Sequence, residues 1–245
     1  SSSRMATGQS ITPVGRLLST YGRPVDLALS HDDKWLFVKA HKELWIADTD
    51  EGKIQQTLPV PTGASLYGIA VSTANDVYVT DSKNGLLVYS QQSVQDDSST
   101  KYELARTITL PADSFPCGIV LSKDETHAWI CLSNSNSVAA VELKSGKIST
   151  TIPVGVAPFD LHFLSDGKLI VSNLGGRRAN ETDNTAESSG TDTVIDERGI
   201  ASTGSVSFVN VTTEKVEKEL PVGLHPSTIA VVGALQFANR RASDC

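Results

Sequence analysis

Short apolar runs rich in Val and Ile alternate with polar turns along the chain, and each run is too short for a helix, so the pattern predicts β structure throughout. The stretch from Pro116 to Gly155 shows the repeating unit most clearly. An apolar run from Gly118 to Leu121 ends in Ser122, a polar turn follows from Lys123 to Thr126, and a second run from Ala128 to Leu132 leads into the Asn-rich turn Ser133 to Ser137. These two runs predict a hairpin. Val138 to Leu143 is expected as a third strand, Lys144-Ser145-Gly146-Lys147 as a turn that uses Gly for positive φ, and Ile148 to Val154 as a fourth.

The same landmarks recur in order. First strands open at Pro24, Leu66, Pro116, Pro158 and Pro226, at spacings of 42, 50, 42 and 68 residues. Second strands read WLFVKA, DVYVTD, AWICLS, KLIVSN and LQFAN, and fourth strands read IQQTLPV, ARTITLP, ISTTIPVG and VEKELPVG. The longer intervals have visible causes: the segment Ser93 to Thr100 in one, and the polar insertion Gly175 to Gly204 in the other. Four strands in a period of about 40 to 50 residues predict the blades of a β-propeller. A single blade cannot bury both of its faces, so successive blades must stack.

The expected fold is therefore all-β, a β-propeller of four-stranded blades over residues 11–245, with about five blades present and the fifth stopping after its second strand. The Ser-rich residues 1–10 are expected to be disordered, and Ile11 to Ser19 reads as a lone strand that either completes a last blade or leads into the first. An arc of this kind has two open edges, which invite self-association. Either the chain is a piece of a longer polypeptide truncated at its C-terminal end, or another chain completes the ring.

Composition narrows the function. With 39% hydrophobic and 20% charged residues among 245, the chain has enough apolar content for a substantial core. A net charge of -7 with a pI near 5.2 makes it a poor nucleic-acid binder, since phosphate contacts need a basic face. No run approaches the roughly 18 apolar residues of a membrane helix. No secretory apolar region is present either, and a start at Ser1 with the only Met at position 5 points to a processed or excised chain.

The repeats resemble the YVTN β-propeller family. Tyr78-Val79-Thr80-Asp81 lies close to the tetrapeptide that names the family, and SGKISTTIPVG (145–155) followed by APF (157–159) is similar to its blade junction. A narrower likeness is carried by TGQSITPVG (7–15), SNLGGRRA (172–179), SSGTDTVIDERGIASTGSVSFVN (188–210) and VGLHPSTIAV (222–231). It is to the propeller half of bacterial proteins that join such a domain to an alkaline-phosphatase-like phosphoesterase domain. That resemblance implies about seven blades, a periplasmic or extracellular location, and a hydrolase that follows the propeller. Phosphoesterase activity would then lie outside this chain, and no catalytic residue is carried over to it.

Few residues suggest chemistry. Cys117 and Cys131 lie on the two strands of one hairpin: a three-residue loop centred on Asp124 would set them opposite each other and allow a disulfide, whereas a two- or four-residue loop would turn them to opposite faces. Neither CxxC nor CxxCH occurs, and the five His residues are not at metal-ligand spacing. The position two residues after each opening should sit near one mouth of the central channel, and it is occupied by Asp26, Gly68, Gly118, Asp160 and Thr228. Asp26 and Asp160 could hold a hard cation such as calcium, or could cap backbone N–H groups at their strand starts. Arg177 and Arg178, after Gly175-Gly176, offer forked donors for carboxylate or phosphate; alternatively they pair with Glu181, Asp183, Asp192 or Asp196 in their own loop. Two sequons, Asn180-Glu181-Thr182 and Asn210-Val211-Thr212, are present, but a bacterial-type relative would not use them.

Three function classes follow. One is a non-catalytic interaction or docking domain for a protein partner or an attached domain. Another is a propeller enzyme of lactonase or quinoprotein type, which needs Asp26, Asp160 and a metal together at the channel mouth. A third is a cell-envelope structural repeat protein that self-associates through its edges. No Ser-nucleophile elbow of the GxSxG type occurs. The docking reading leads, because ligands do not converge for the second class and no anchor supports the third.

Overall fold

A computed structural model describes residues 3–4, 10–11, 14–15, 17–18, 20–92, 101–232 and 235–240. Strands β1 (Ser3–Arg4) and β2 (Ser10–Ile11) form a small antiparallel pair. The first blade comprises β3 (Pro24–Leu29), β4 (Trp35–Ala40), β5 (Glu43–Asp48) and β6 (Lys53–Pro59), and the second β7 (Ala64–Val71), β8 (Val77–Asp81), β9 (Gly85–Gln92) and β10 (Lys101–Thr109). The third comprises β11 (Pro116–Leu121), β12 (His127–Leu132), β13 (Ser137–Glu142) and β14 (Ile148–Pro153). In the fourth, β15 (Val156–Phe163) and β16 (Leu169–Gly176) are separated from β19 (Gly204–Asn210) and β20 (Lys215–Val222) by an inserted hairpin, β17 (Thr185–Ser188) and β18 (Thr191–Val194). The chain then enters a fifth sheet, β21 (Pro226–Val232) paired with β22 (Leu235–Arg240). All pairings within these sheets are antiparallel, and apart from β16 with β19, which spans the insertion, they join strands consecutive in sequence, as expected of propeller blades.

The blades stack through alternation. On β12, Ala128, Ile130 and Leu132 join a cluster with Tyr78, Leu86 and Val88 of the second blade, while Trp129 and Cys131 join one with Leu161, Leu169 and Val171 of the fourth. Both faces of the strand are therefore apolar, and each is covered by a different neighbour. Phe37, Leu44 and Ile46 pack against Val77, Val79 and Tyr89 in the same way, and Ile170 and Val206 pack against Ile229. The first strands of successive blades, β3, β7, β11, β15 and β21, lie side by side, which is the arrangement of the inner strands of a propeller arc.

Every first strand carries a register shift near its start, for example between Pro24 and Asp26, Pro116 and Ile119, and Pro226 and Ile229. The hairpins on one face share a four-residue turn closed by a left-handed residue: Asp33, Asn75, Glu125 and Gly167 donate N–H bonds to Ser30, Ser72, Ser122 and Leu164. Gly68 has another role. Its φ is +114°, and a Cβ there would lie 2.0 Å from the Cys117 carbonyl oxygen and 2.3 Å from Thr80 Oγ1, so only Gly lets β7 approach β11 this closely.

Of the lone strand expected over Ile11 to Ser19, Ile11 is the one strand residue among those described. Within residues 1–10, expected to be disordered, the β1–β2 pairing is described. The expectation placed on Ser93 to Thr100 lies outside the described residues.

Gly68→Ala is expected to destabilise the chain by about 3 kcal/mol or more, combining a backbone clash with a disfavoured φ. Gly167→Ala, with φ +81° and nothing within 4 Å of the new Cβ, should cost only about 1 to 2 kcal/mol. Urea unfolding of the two variants checks the order, and equal losses would contradict the close approach at Gly68.

Candidate functional site

The ring of inner-strand positions is where the sequence places its acidic candidates. Asp26 accepts N–H bonds from Gly68 (2.8 Å) and Ile69 (3.1 Å) of the next blade on Oδ2 and from Leu27 (2.9 Å) on Oδ1. Asp160 repeats this motif in the fourth blade: Oδ2 accepts from Ile229 N–H (2.8 Å) in the fifth sheet and Oδ1 from Leu161 N–H (2.8 Å). His162 Nε2 lies 3.4 Å from the same Oδ2, and that carboxylate raises the His162 pKa. Burial raises the Asp26 pKa, opposed by its N–H partners. Each carboxylate thus caps backbone N–H groups, and it does so across the junction between blades.

A second set of cross-blade bonds starts from the second strands. Lys39 on β4, fully buried, reaches Ser65 Oγ (2.9 Å), Tyr67 O (2.9 Å), Gly68 O (3.0 Å) and Thr80 Oγ1 (2.9 Å), all in the second blade. Thr80, its counterpart on β8, donates to Cys117 O (3.0 Å) in the third blade, and Ser172 on β16 donates to Ser227 O (2.6 Å) in the fifth. In each case the acceptor is the residue just after the opening of the next first strand. Cys131 takes this place on β12, so the third and fourth blades are joined there by apolar packing. Lys39 escapes sequence reasoning because one Lys in WLFVKA reads as an exposed strand residue; the available signal was that both faces of that strand must be covered.

Close to these groups the Tyr67 ring stacks on Phe159 with centroids 5.3 Å apart and 20° between planes. Tyr67 belongs to the second blade and Phe159 to the fourth, so the rings meet across the inner ends of the sheets. Calcium does not fit the two carboxylates: their oxygens already face N–H donors, whose positive ends repel a cation. No group of three or more His, Cys, Asp or Glu suited to a metal is present among the described residues.

The cysteines need a correction. The β11–β12 hairpin pairs Ile119 with Ile130 and Leu121 with Ala128, the register of a four-residue loop, and then shifts so that Pro116 pairs with Leu132. That bulge brings Cys117 and Cys131 into the same buried cluster rather than onto opposite faces. Both are free thiols and no disulfide joins them. Burial pushes the Cys117 thiol up to about 11 and the Cys131 thiol up as well.

Arg177 and Arg178 bind the chain itself. Arg177 forks onto Asp183 with two contacts of 2.6 Å, which holds the Asp183 carboxyl down at about 2. Arg178 donates to Val154 O (2.8 Å) and Asn136 O (2.7 Å) at the edge of the third blade. Asn136 Nδ2 in turn donates to Thr191 Oγ1 (2.8 Å), and its Oδ1 accepts from Ala157 N–H (2.8 Å). The insertion is therefore laid over the turns of the third and fourth blades, with a cleft of about 480 Å³ beneath the β17–β18 hairpin. On the opposite face, a groove of about 790 Å³ runs between the same blades beside Trp129, His162 and Phe163.

Burial brings the Lys39 ammonium down to about 7 from an ordinary 10.5, with Asp26 opposing the shift. Between those values the folded chain binds fewer protons than the unfolded chain, so stability rises with pH across that window. Relative to Lys39→Met, the unsubstituted chain should gain up to about 1.4 kcal/mol per pH unit between about pH 7.5 and pH 9. Urea unfolding at the two ends of that range measures the difference, and parallel curves for the two proteins would refute it. Cys117 and Cys131 should meanwhile react with a thiol reagent no faster than the chain opens; rapid labelling of either in the folded protein would show the cluster to be accessible.

No family model matches the sequence, and no curated protein does. Solved structures do match. Hydrazine synthase from Kuenenia stuttgartiensis aligns with a TM-score of 0.59 at 16% identity over 88% of this chain and 55% of that one. A protein of unknown function from Bacteroides caccae aligns with a TM-score of 0.55 at 11% identity, over 87% and 65%. The WD40 repeats of RRP9 align with a TM-score of 0.56 at 16% identity, over 87% and 55%. The chain thus spans between 55% and 65% of the length of these structures. At such identities the likeness is one of fold, and the fold is a β-propeller of four-stranded antiparallel blades.

Proposed function

We propose that this arc of blades is a non-catalytic interaction domain, and that the face carrying the inserted hairpin is its docking surface for a protein partner or a further domain of the same polypeptide. The observation that carries this reading is the fate of the inner-strand polar groups. Asp26, Lys39, Thr80, Asp160 and Ser172 are all tied to the backbone of a neighbouring blade, an arrangement that suits assembly better than turnover. The same bonds weigh against a lactonase or quinoprotein centre at the channel mouth, since Asp26 and Asp160 have no oxygen turned to a metal. Long, ordered insertions in compact domains are commonly functional, and this one is fastened to the scaffold by Arg178 and Asn136.

The YVTN-like repeats support a finer version in which the partner is a phosphoesterase domain and the protein works in the periplasm or outside the cell. Self-association through open blade edges, as in a cell-envelope repeat protein, is the competing outcome. Cross-linking of the full-length polypeptide with an amine-reactive reagent distinguishes them. Lys42 and Lys83, exposed on turns of the insertion face, should link to the partner or attached domain, while Lys123 and Lys144 on the opposite face should not. Links confined to Lys123 and Lys144, or links only between copies of this chain, would reject the proposal.

A further inference from the structure

Among the described residues, five of the ten non-glycine residues with positive φ line the cleft beneath the hairpin: Phe115 (47°), Asn136 (50°), Ala157 (52°), Ser189 (50°) and His225 (47°). Most of the others close short turns between strands. Phe115, Ala157 and His225 each precede the proline that opens a first strand, a position whose own preference is extended backbone. Strain of this kind persists where the surrounding structure over-determines it, and it concentrates at ligand sites. The hairpin over the cleft is itself set by a tight turn, with Ser189 and Gly190 both left-handed.

The lining has a definite chemistry. The cleft measures about 480 Å³, within the range of small-molecule sites. Among the described residues no Lys or Arg lines it, and Glu187 and His225 are the titratable residues of the lining. A phosphate or carboxylate ligand would therefore find no forked or ammonium donor. Asn136, Thr191 and Thr193 bond within the chain, and Asn134 Nδ2 donates to Asp113 O, whereas a wholly apolar ligand would cover the Ser188 and Ser189 hydroxyls without partners. Roughly half the wall is apolar, including Phe115, Leu174 and Ile195, and most of the rest consists of neutral hydroxyl and amide side chains such as Asn134, Ser188 and Ser189. A ring that is apolar on its C–H face and hydroxylated at its rim satisfies both halves at once.

We propose that this cleft binds a neutral mono- or disaccharide, with the ring against Phe115 and the hydroxyls on Asn134, Ser188 and Ser189. The site is independent of the protein-docking reading: if sugars fail to bind, a partner can still dock on this face.

Isothermal titration of the chain with glucose, galactose, mannose, N-acetylglucosamine and their disaccharides tests the proposal, with glucuronate and glucose 6-phosphate as charged counterparts. At least one neutral sugar should bind with a micromolar to millimolar dissociation constant. Asn134→Ala and Phe115→Leu should each weaken it about tenfold. Ser189→Gly should weaken it by several-fold without loss of fold, because Gly adopts positive φ freely. The proposal is overturned if no neutral sugar binds, if the charged counterparts bind more tightly, or if binding is unmoved by all three substitutions.

Discussion

Each blade of this chain is a sheet that is apolar on both sides, and this one fact organises the rest. A strand such as β12 has no solvent-facing side to offer, so a neighbouring sheet must cover each face. Stacking of that kind is non-directional, and apolar contact alone would let one blade slide along another. Direction comes from hydrogen bonds at the inner ends, where buried polar groups gain most from a fixed partner and lose most without one.

Those bonds follow a rule. A polar residue late in the second strand reaches the carbonyl just after the opening of the next first strand, as Lys39, Thr80 and Ser172 do. An Asp two residues after an opening reaches N–H groups one blade further on, as Asp26 and Asp160 do. Where the Asp is replaced by Gly, at Gly68 and Gly118, the next backbone moves in directly: a Cβ on Gly118 would lie 2.7 Å from the Phe159 carbonyl oxygen. Side chain and absence of side chain are thus two solutions to the same junction.

Much of this was legible in the sequence, because repeat spacing is a one-dimensional record of radial stacking. The openings at Pro24, Pro116 and Pro226 begin strands in the structure, and Asp26 and Asp160 lie on the first strands β3 and β15. What was not legible has physical causes. The fate of Cys117 and Cys131 turned on a bulge, which shifts register by one residue without changing composition. Lys39 was overlooked because a long basic side chain normally reaches water. The hairpin built from Thr185–Ser188 and Thr191–Val194 carries almost no apolar residues, so no periodicity marked it as strands.

The insertion belongs by sequence to the fourth blade, yet Arg178 and Asn136 fasten it to the third. It is therefore a strap over a seam. Two spokes that already meet through their flanks are here also bound from above, so prising them apart means releasing the strap first. The wheel should be stiffest at this sector, and motion elsewhere in the ring would have to pivot around it.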